Sequence, residues 1–187
     1  MKKETKILIV SIVAVLLIVV LIYIFLNKKN SDNIIKTIRE GKTMLKQVTK
    51  SKNLPATETF EVDVKDINEV TSFTGLKSNK NIEWIVASEP MMSSQAFSAV
   101  ALKVKDGASI DSIKQEILNN VNTSKWICVT AEKLYITNNG NVIFFIMSDN
   151  DWAKIVYDNF KEYVNNDIGK ELEKTSDEFL PDQRPVA

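Results

Sequence analysis

The sequence predicts an α+β domain, a mostly antiparallel sheet with helices packed on one face, preceded by one transmembrane helix and an amphipathic stem helix. Three observations carry this. The stretch 7–26, "ILIVSIVAVLLIVVLIYIFL", contains no charge. Beyond residue 55 the chain reads strand, helix, strand, strand, helix, short strands, helix, an order that suits an α+β layer arrangement. And "VIFFIMS" at 142–148 is apolar on both faces, which places it at the centre of a sheet.

The uncharged stretch comes first. Twenty residues at about 1.5 Å each span roughly 30 Å, the thickness of a bilayer's hydrocarbon core. All but Ser11, Ala14 and Tyr23 are Ile, Leu, Val or Phe, and together they favour insertion by roughly 5–10 kcal/mol. A cleaved leader would have a shorter apolar run and small residues after it. Here Tyr23, Ile24, Phe25, Leu26 and Asn27 follow on instead. A lipoprotein signal would need a cysteine just past the run, and the only cysteine is Cys128. The expectation is a retained single-span anchor at 7–26, a cytoplasmic tail at 1–6, and a C-terminal part outside the cytoplasm. Lys2, Lys3 and Lys6 argue for that orientation. Lys28, Lys29, Lys36, Arg39, Lys42 and Lys46 argue against it, but long domains translocate largely regardless of charge.

The neutral chain is polarised along its length. Residues 1–53 carry 11 Lys/Arg against 3 Asp/Glu, net +8, and residues 54–187 carry 13 against 21, net −8. An acidic globular part disfavours a nucleic-acid reader. A single cysteine excludes an intrachain disulfide framework. Absence of histidine removes the commonest general base and metal ligand. With five glycines the chain carries no phosphate loop, zinc motif or nucleophile elbow.

Residues 27–55 read as a basic amphipathic stem and linker. Ile34, Ile35, Ile38, Leu45 and Val48 recur at helical spacing while Lys36, Arg39, Lys42 and Lys46 fill other positions. Lys28, Lys29, Lys36 and Arg39 are candidate contacts to lipid headgroups, since basic residues next to a membrane are drawn to anionic lipid. Gly41 weakens the helix, and Pro55 ends the segment.

The α+β domain is expected at 56–174. "TFEVDVK" alternates Phe60, Val62 and Val64 with Glu61, Asp63 and Lys65, the mark of a half-buried strand. Asp66 caps a short helix with Glu69 at capping-box spacing and Gly75 at its end. "NIEWIVA" (81–87) and "AFSAVALKV" (96–104) are strands joined by a loop holding Glu89 and Pro90. Ser109 opens a helix with Ile110, Ile113, Ile117, Leu118 and Val121 on one face. "WICVT" and "KLYIT" read as short apolar strands, with Cys128 buried. "NNGN" (138–141) is a turn before 142–148. Asp149 or Asn150 caps the last helix, with Trp152, Val156, Phe160, Tyr163 and Val164 facing inward. Residues 175–187, with two prolines and no period, read as a loose tail.

At "AFSAVALKVKDGASIDSIKQEI" and "NGNVIFFIMSDNDWAKIVYDNFKEY" the chain resembles the bacterial domain of unknown function 4358 family, found in lipoproteins and membrane-anchored proteins of Gram-positive bacteria. The shared features are a strand ending in Lys103-Val104-Lys105-Asp106 before a helix, the turn at Gly140, and Ser148-Asp149 leading into the last helix. The resemblance spans about residues 66–165. It implies an anchored extracytoplasmic domain and assigns no catalytic residue. The sequence departs from lipoprotein members in using a span where they use a lipidated cysteine.

Chemistry is sparse. Asp149-Asn150-Asp151 lacks the later oxygen ligands and Gly of a calcium loop, so a helix cap is the reading. Asp177-Glu178 are solvated charge. No catalytic, cofactor-binding or metal-ligating residue is assigned. Met91 and Met92 in "EPMMSSQ" are the apolar oddity: flexible, polarizable side chains suited to a partner surface, or else a cover for the sheet's end. The function expected is a non-enzymatic binding or protein-interaction module of the cell envelope, with an envelope protein as partner and no cofactor or nucleic acid. The alternatives are an envelope enzyme or its accessory subunit, and a cytosol-facing domain docked by its basic stem. An alkaline phosphatase fused after Ala187 is expected to be active; an inactive fusion beside a fluorescent cytoplasmic reporter would reverse the orientation.

Overall fold

In a computed structural model, which describes residues 35–178, six strands form one antiparallel sheet in the order β1-β2-β3-β5-β4-β6. The strands are β1 Thr57–Val62, β2 Ile82–Pro90, β3 Phe97–Val104, β4 Lys133–Asn139, β5 Val142–Ser148 and β6 Leu172–Thr175. Four helices accompany them: α1 Ile38–Val48, α2 Ile67–Thr74, α3 Ile110–Asn120 and α4 Asn150–Tyr163. The domain is therefore α+β, and its central strand is the one the apolar run indicates. All seven residues of β5 are buried, between β3 (Val100 opposite Phe145) and β4 (Ile136 opposite Phe145).

Helices cover both faces of the sheet, not the one face expected. The reason lies in β3 and β5. Their alternate residues Phe97, Ala99, Ala101, Phe144 and Ile146 face one way, and Val100, Leu102, Ile143, Phe145 and Met147 face the other. Both sets must leave water. On the first face lie α1 and α4, with Phe144 and Phe160 stacked at 4.1 Å. On the second, α2 and α3 contribute Val70, Ile113 and Ile117.

The helix read as a stem belongs to this core. Met44, Leu45 and Val48 of α1 are buried with Trp84 and Val86 of β2, and Ile35 ahead of it is buried as well. Its basic residues are the outer face of a packed helix, so the domain starts well before residue 56. Gly41 has a packing role: a Cβ there would stand 2.8 Å from Cη2 of Trp84.

The cap of α1 lies later than the sequence suggests, where Ser31 or Asp32 is the expected start: Thr37 and Glu40 form a reciprocal capping box. The other caps follow the sequence. Asp66, Ser109 and Asp149 cap α2, α3 and α4. Glu69 departs from its expected role: it reaches the backbone N–H of Asp63 (2.9 Å), fastening the turn after β1. Asn139 and Val142 flank a two-residue turn with Gly140 at φ 54°. Two expectations fail. "WICVT" is an irregular loop with Cys128 exposed at φ 61°. The segment that does pair beside β4 is β6, which extends to Thr175. Glu178 then turns the chain by accepting from the Thr175 N–H at 2.9 Å. No helix among the described residues is long and apolar enough to cross a membrane. The span at 7–26, Lys28, Lys29 and the tail beyond Glu178 lie outside the described residues.

Gly41→Ala is expected to destabilise the domain by about 1–3 kcal/mol through overpacking against Trp84, against a helix-propensity gain of about 1 kcal/mol. Urea unfolding measures it, and pairing the change with Trp84→Phe should recover part of the loss.

Candidate functional site

The end of the sheet where β2 turns into β3 carries the most distinctive surface. Antiparallel pairing sets Pro90 opposite Thr57 and Phe97 opposite Ser148 there. The connecting loop, 91–96, leaves Met91 86% and Met92 61% exposed. A second loop, between α3 and β4, runs alongside. The Ile127 N–H donates to the Ser93 carbonyl (3.1 Å), and Ile127 is itself 66% exposed. Three large apolar side chains thus stand in water beside the exposed Cys128. Of the two readings of Met91 and Met92, covering the sheet's end is not what they do.

Beneath them lies a polar anchor. Lys125, from the second loop, turns inward and makes an ion pair with Glu89 at the end of β2. The Ser98 hydroxyl of β3 donates to the same Glu89 oxygen at 2.5 Å, and the Lys125 ammonium lies 3.3 Å from Ser98 Oγ. The ammonium also sits over the Phe73 ring, 4.7 Å from its centroid. Burial pulls the Lys125 pKa below its ordinary value, and the Glu89 carboxylate opposes that pull. The trio ties β2, β3, α2 and the 121–132 loop into one frame. A serine beside a lysine invites a nucleophile reading, but Ser98 is fully buried and its hydrogen is committed to Glu89. No substrate carbonyl reaches it.

A second feature is a groove of about 390 Å³ between α4 and the β4–β6 edge. Tyr135 and Tyr157 stack there at 4.7 Å. Its charges are mutually satisfied. Lys133 pairs with Glu173 at 3.0 Å and caps the Tyr135 ring at 4.9 Å. Asp158 bridges Lys154 and Lys161. The Tyr157 hydroxyl donates to Glu171 at 2.8 Å, and burial, reinforced by that carboxylate, holds its pKa far above the usual tyrosine value. A groove so neutralised offers a ligand little.

Lys36 and Arg39 are exposed at the start of α1, where the Lys36 carbonyl accepts from Lys103 Nζ (3.1 Å). Lys103 is the penultimate residue of β3 and Met92 precedes the strand's start, so the two candidate sites lie at opposite ends of the sheet. Six strand steps of about 3.4 Å separate them by roughly 20 Å. Asp149 accepts from the Trp152 N–H (2.9 Å) as a cap. Among the described residues no group of His, Cys, Asp or Glu could hold a metal ion. The Lys125–Glu89–Ser98 trio was not foreseen: its members lie in three separate elements, and no local spacing announces them.

No family model matches the chain, and neither a curated protein nor a solved structure matches it.

Lys125→Met is expected to cost about 2–4 kcal/mol, below the 3–5 kcal/mol of a fully enclosed pair because 14% of the side chain is exposed. Denaturant unfolding measures it, and Lys125→Met combined with Glu89→Gln should cost less than the single change plus a similar loss, since no charge is left unpaired.

Proposed function

We propose that this chain is a single-pass, membrane-anchored module of the bacterial cell envelope, non-enzymatic, which holds a partner protein through Met91, Met92 and Ile127 on an extracytoplasmic domain. The observation that carries the reading is the exposure of three large apolar side chains on a loop pair fixed from below by a buried ion pair. Isolated exposed apolar residues are ordinary, but a cluster on a rigid frame marks an interaction surface. Methionines suit it because they adapt their shape at little cost. The described domain begins at Ile35, beside Lys103, at the end of the sheet away from this cluster. A tether attached there leaves the cluster free to meet a partner. The uncharged stretch 7–26 supplies that tether, its length matching a bilayer's hydrocarbon core. Lys28 and Lys29 follow that stretch in the sequence, and with the exposed Lys36 and Arg39 at the start of the domain they suit headgroup contact. The buried position of Ser98 supports a binding role over a catalytic one.

Replacing Met91 and Met92 with Ser is expected to change unfolding free energy by less than about 0.5 kcal/mol, as for other exposed sites. A photo-crosslinker at position 92, in cells, should give one discrete protein adduct, absent from a control at Glu58 and from a variant with Met91→Ser and Ile127→Ser. A large loss of stability, or adducts identical at both positions, would overturn the reading.

A further inference from the structure

A cleft of about 330 Å³ opens between the carboxyl end of α1 and the edge strand β1. Its polar lining is Lys46, Thr49, Lys50, Ser51, Thr57 and Thr59, with Leu54, Pro55 and Ala56 forming a wall. No carboxylate lines it. Neither Lys46 nor Lys50 makes an ion pair among the described residues, in contrast to Lys42, Lys103, Lys114, Lys125, Lys133, Lys154 and Lys161.

Lysines in the last turn of a helix usually serve its unsatisfied carbonyls. Here the carbonyls of Leu45, Gln47 and Val48 are taken by other donors. The Leu45 oxygen accepts from both the Thr49 N–H (3.0 Å) and the Thr49 hydroxyl (2.8 Å). The Gln47 oxygen accepts from the Lys50 N–H (3.2 Å), and the Val48 oxygen from Asn159 Nδ2 (2.9 Å). Neither ammonium group is needed as a donor to these three carbonyls.

The hydroxyls behind them form a relay with a direction. Thr59 donates to Ser88 (3.2 Å), and Ser88 donates to Thr57 (2.9 Å). The Thr49 hydrogen is engaged by Leu45. A hydroxyl has one hydrogen, so the hydrogen of Thr57 is held only by its 3.3 Å contact with Thr49. It is the one that can turn toward a guest in the cleft.

From this geometry we infer that the cleft is an anion site for a phosphate group, borne by a soluble ester or by a lipid headgroup. Two ammonium groups supply charge, and the Thr57 hydroxyl supplies a directed donor with Ser88 and Thr59 polarising it from behind. The carboxylate-free lining is what discriminates: the domain around it is acidic, whereas this recess sets two lysines among hydroxyls alone.

Amide NMR of the full chain in neutral detergent micelles tests this, with inorganic phosphate titrated against chloride at constant ionic strength. Saturable shifts at Ser51 and Thr57 are expected, with a Kd of about 1 mM. Lys46→Gln with Lys50→Gln should weaken binding at least about tenfold, and Thr57→Val several-fold, with the remaining spectrum unchanged. Shifts that never saturate, or equal Kd values for the wild type and the double lysine variant, would overturn the site. Nanodiscs with phosphatidylglycerol then separate the sources: displacement of bound phosphate assigns a headgroup, and undisturbed saturation assigns a soluble ester.

Discussion

Strand β5 has no residue that reaches water, and the rest of the domain is arranged around that constraint. Seven consecutive buried side chains, each large one contributing about 1.5–3 kcal/mol when removed from solvent, demand cover above and below. Neighbouring strands supply the hydrogen bonds on both sides, so the segment sits inside the sheet and not at its rim. Two helices on each face then follow, because one layer leaves half of Val142–Ser148 wet. The short amphipathic helices, too weak to persist alone, hold their shape because this strand gives each of them an apolar surface to close upon.

Polar ties fix the layers in register. The Lys114 ammonium, fully buried, is held by Asn138 Oδ1 (2.7 Å), the Lys170 carbonyl (2.8 Å) and Asp111 (2.9 Å). It joins α3, β4 and the segment leading into β6. Asn159 of α4 reaches the Val48 carbonyl of α1. Such ties add little net free energy, but removal of one partner strands a buried group, so they penalise alternative packings. Trp84 Nε1 is the buried side-chain polar atom left without a partner among the described residues. Its ring is the surface on which Gly41 allows α1 to settle.

Much of this was legible locally. The two-sided apolar run of β5, the caps at Asp66, Ser109 and Asp149, and the Gly140 turn are each encoded within a few residues. The misreadings share a cause. The outer face of α1 carries Lys36, Arg39, Lys42 and Lys46 whether the helix is a free stem or one wall of a core, and its apolar stripe has the same period in both. Only Trp84, some forty residues on, decides between them. "WICVT" is apolar enough for a strand, yet Lys125 just before it is drawn down to Glu89 and Ser98, which diverts the backbone and turns Ile127 and Cys128 outward. β6 offers four residues, Leu-Glu-Lys-Thr, too few to show a period, and is recruited by the open edge of β4. Met91 and Met92 were singled out by residue type alone; their frame is a product of tertiary contacts.

The strand order has a consequence for how the chain comes into being. β3 pairs with β5, skipping β4, so after Val104 emerges from the ribosome another 37 residues must appear before Val142, the first residue of its partner strand. At about 5–20 residues per second that is roughly 2–8 s. During that interval β1, β2 and β3 form a three-stranded fragment whose last strand is apolar on both faces and bare along one edge. Until β5 arrives, that bare edge is the part of the nascent domain most open to wrong pairing.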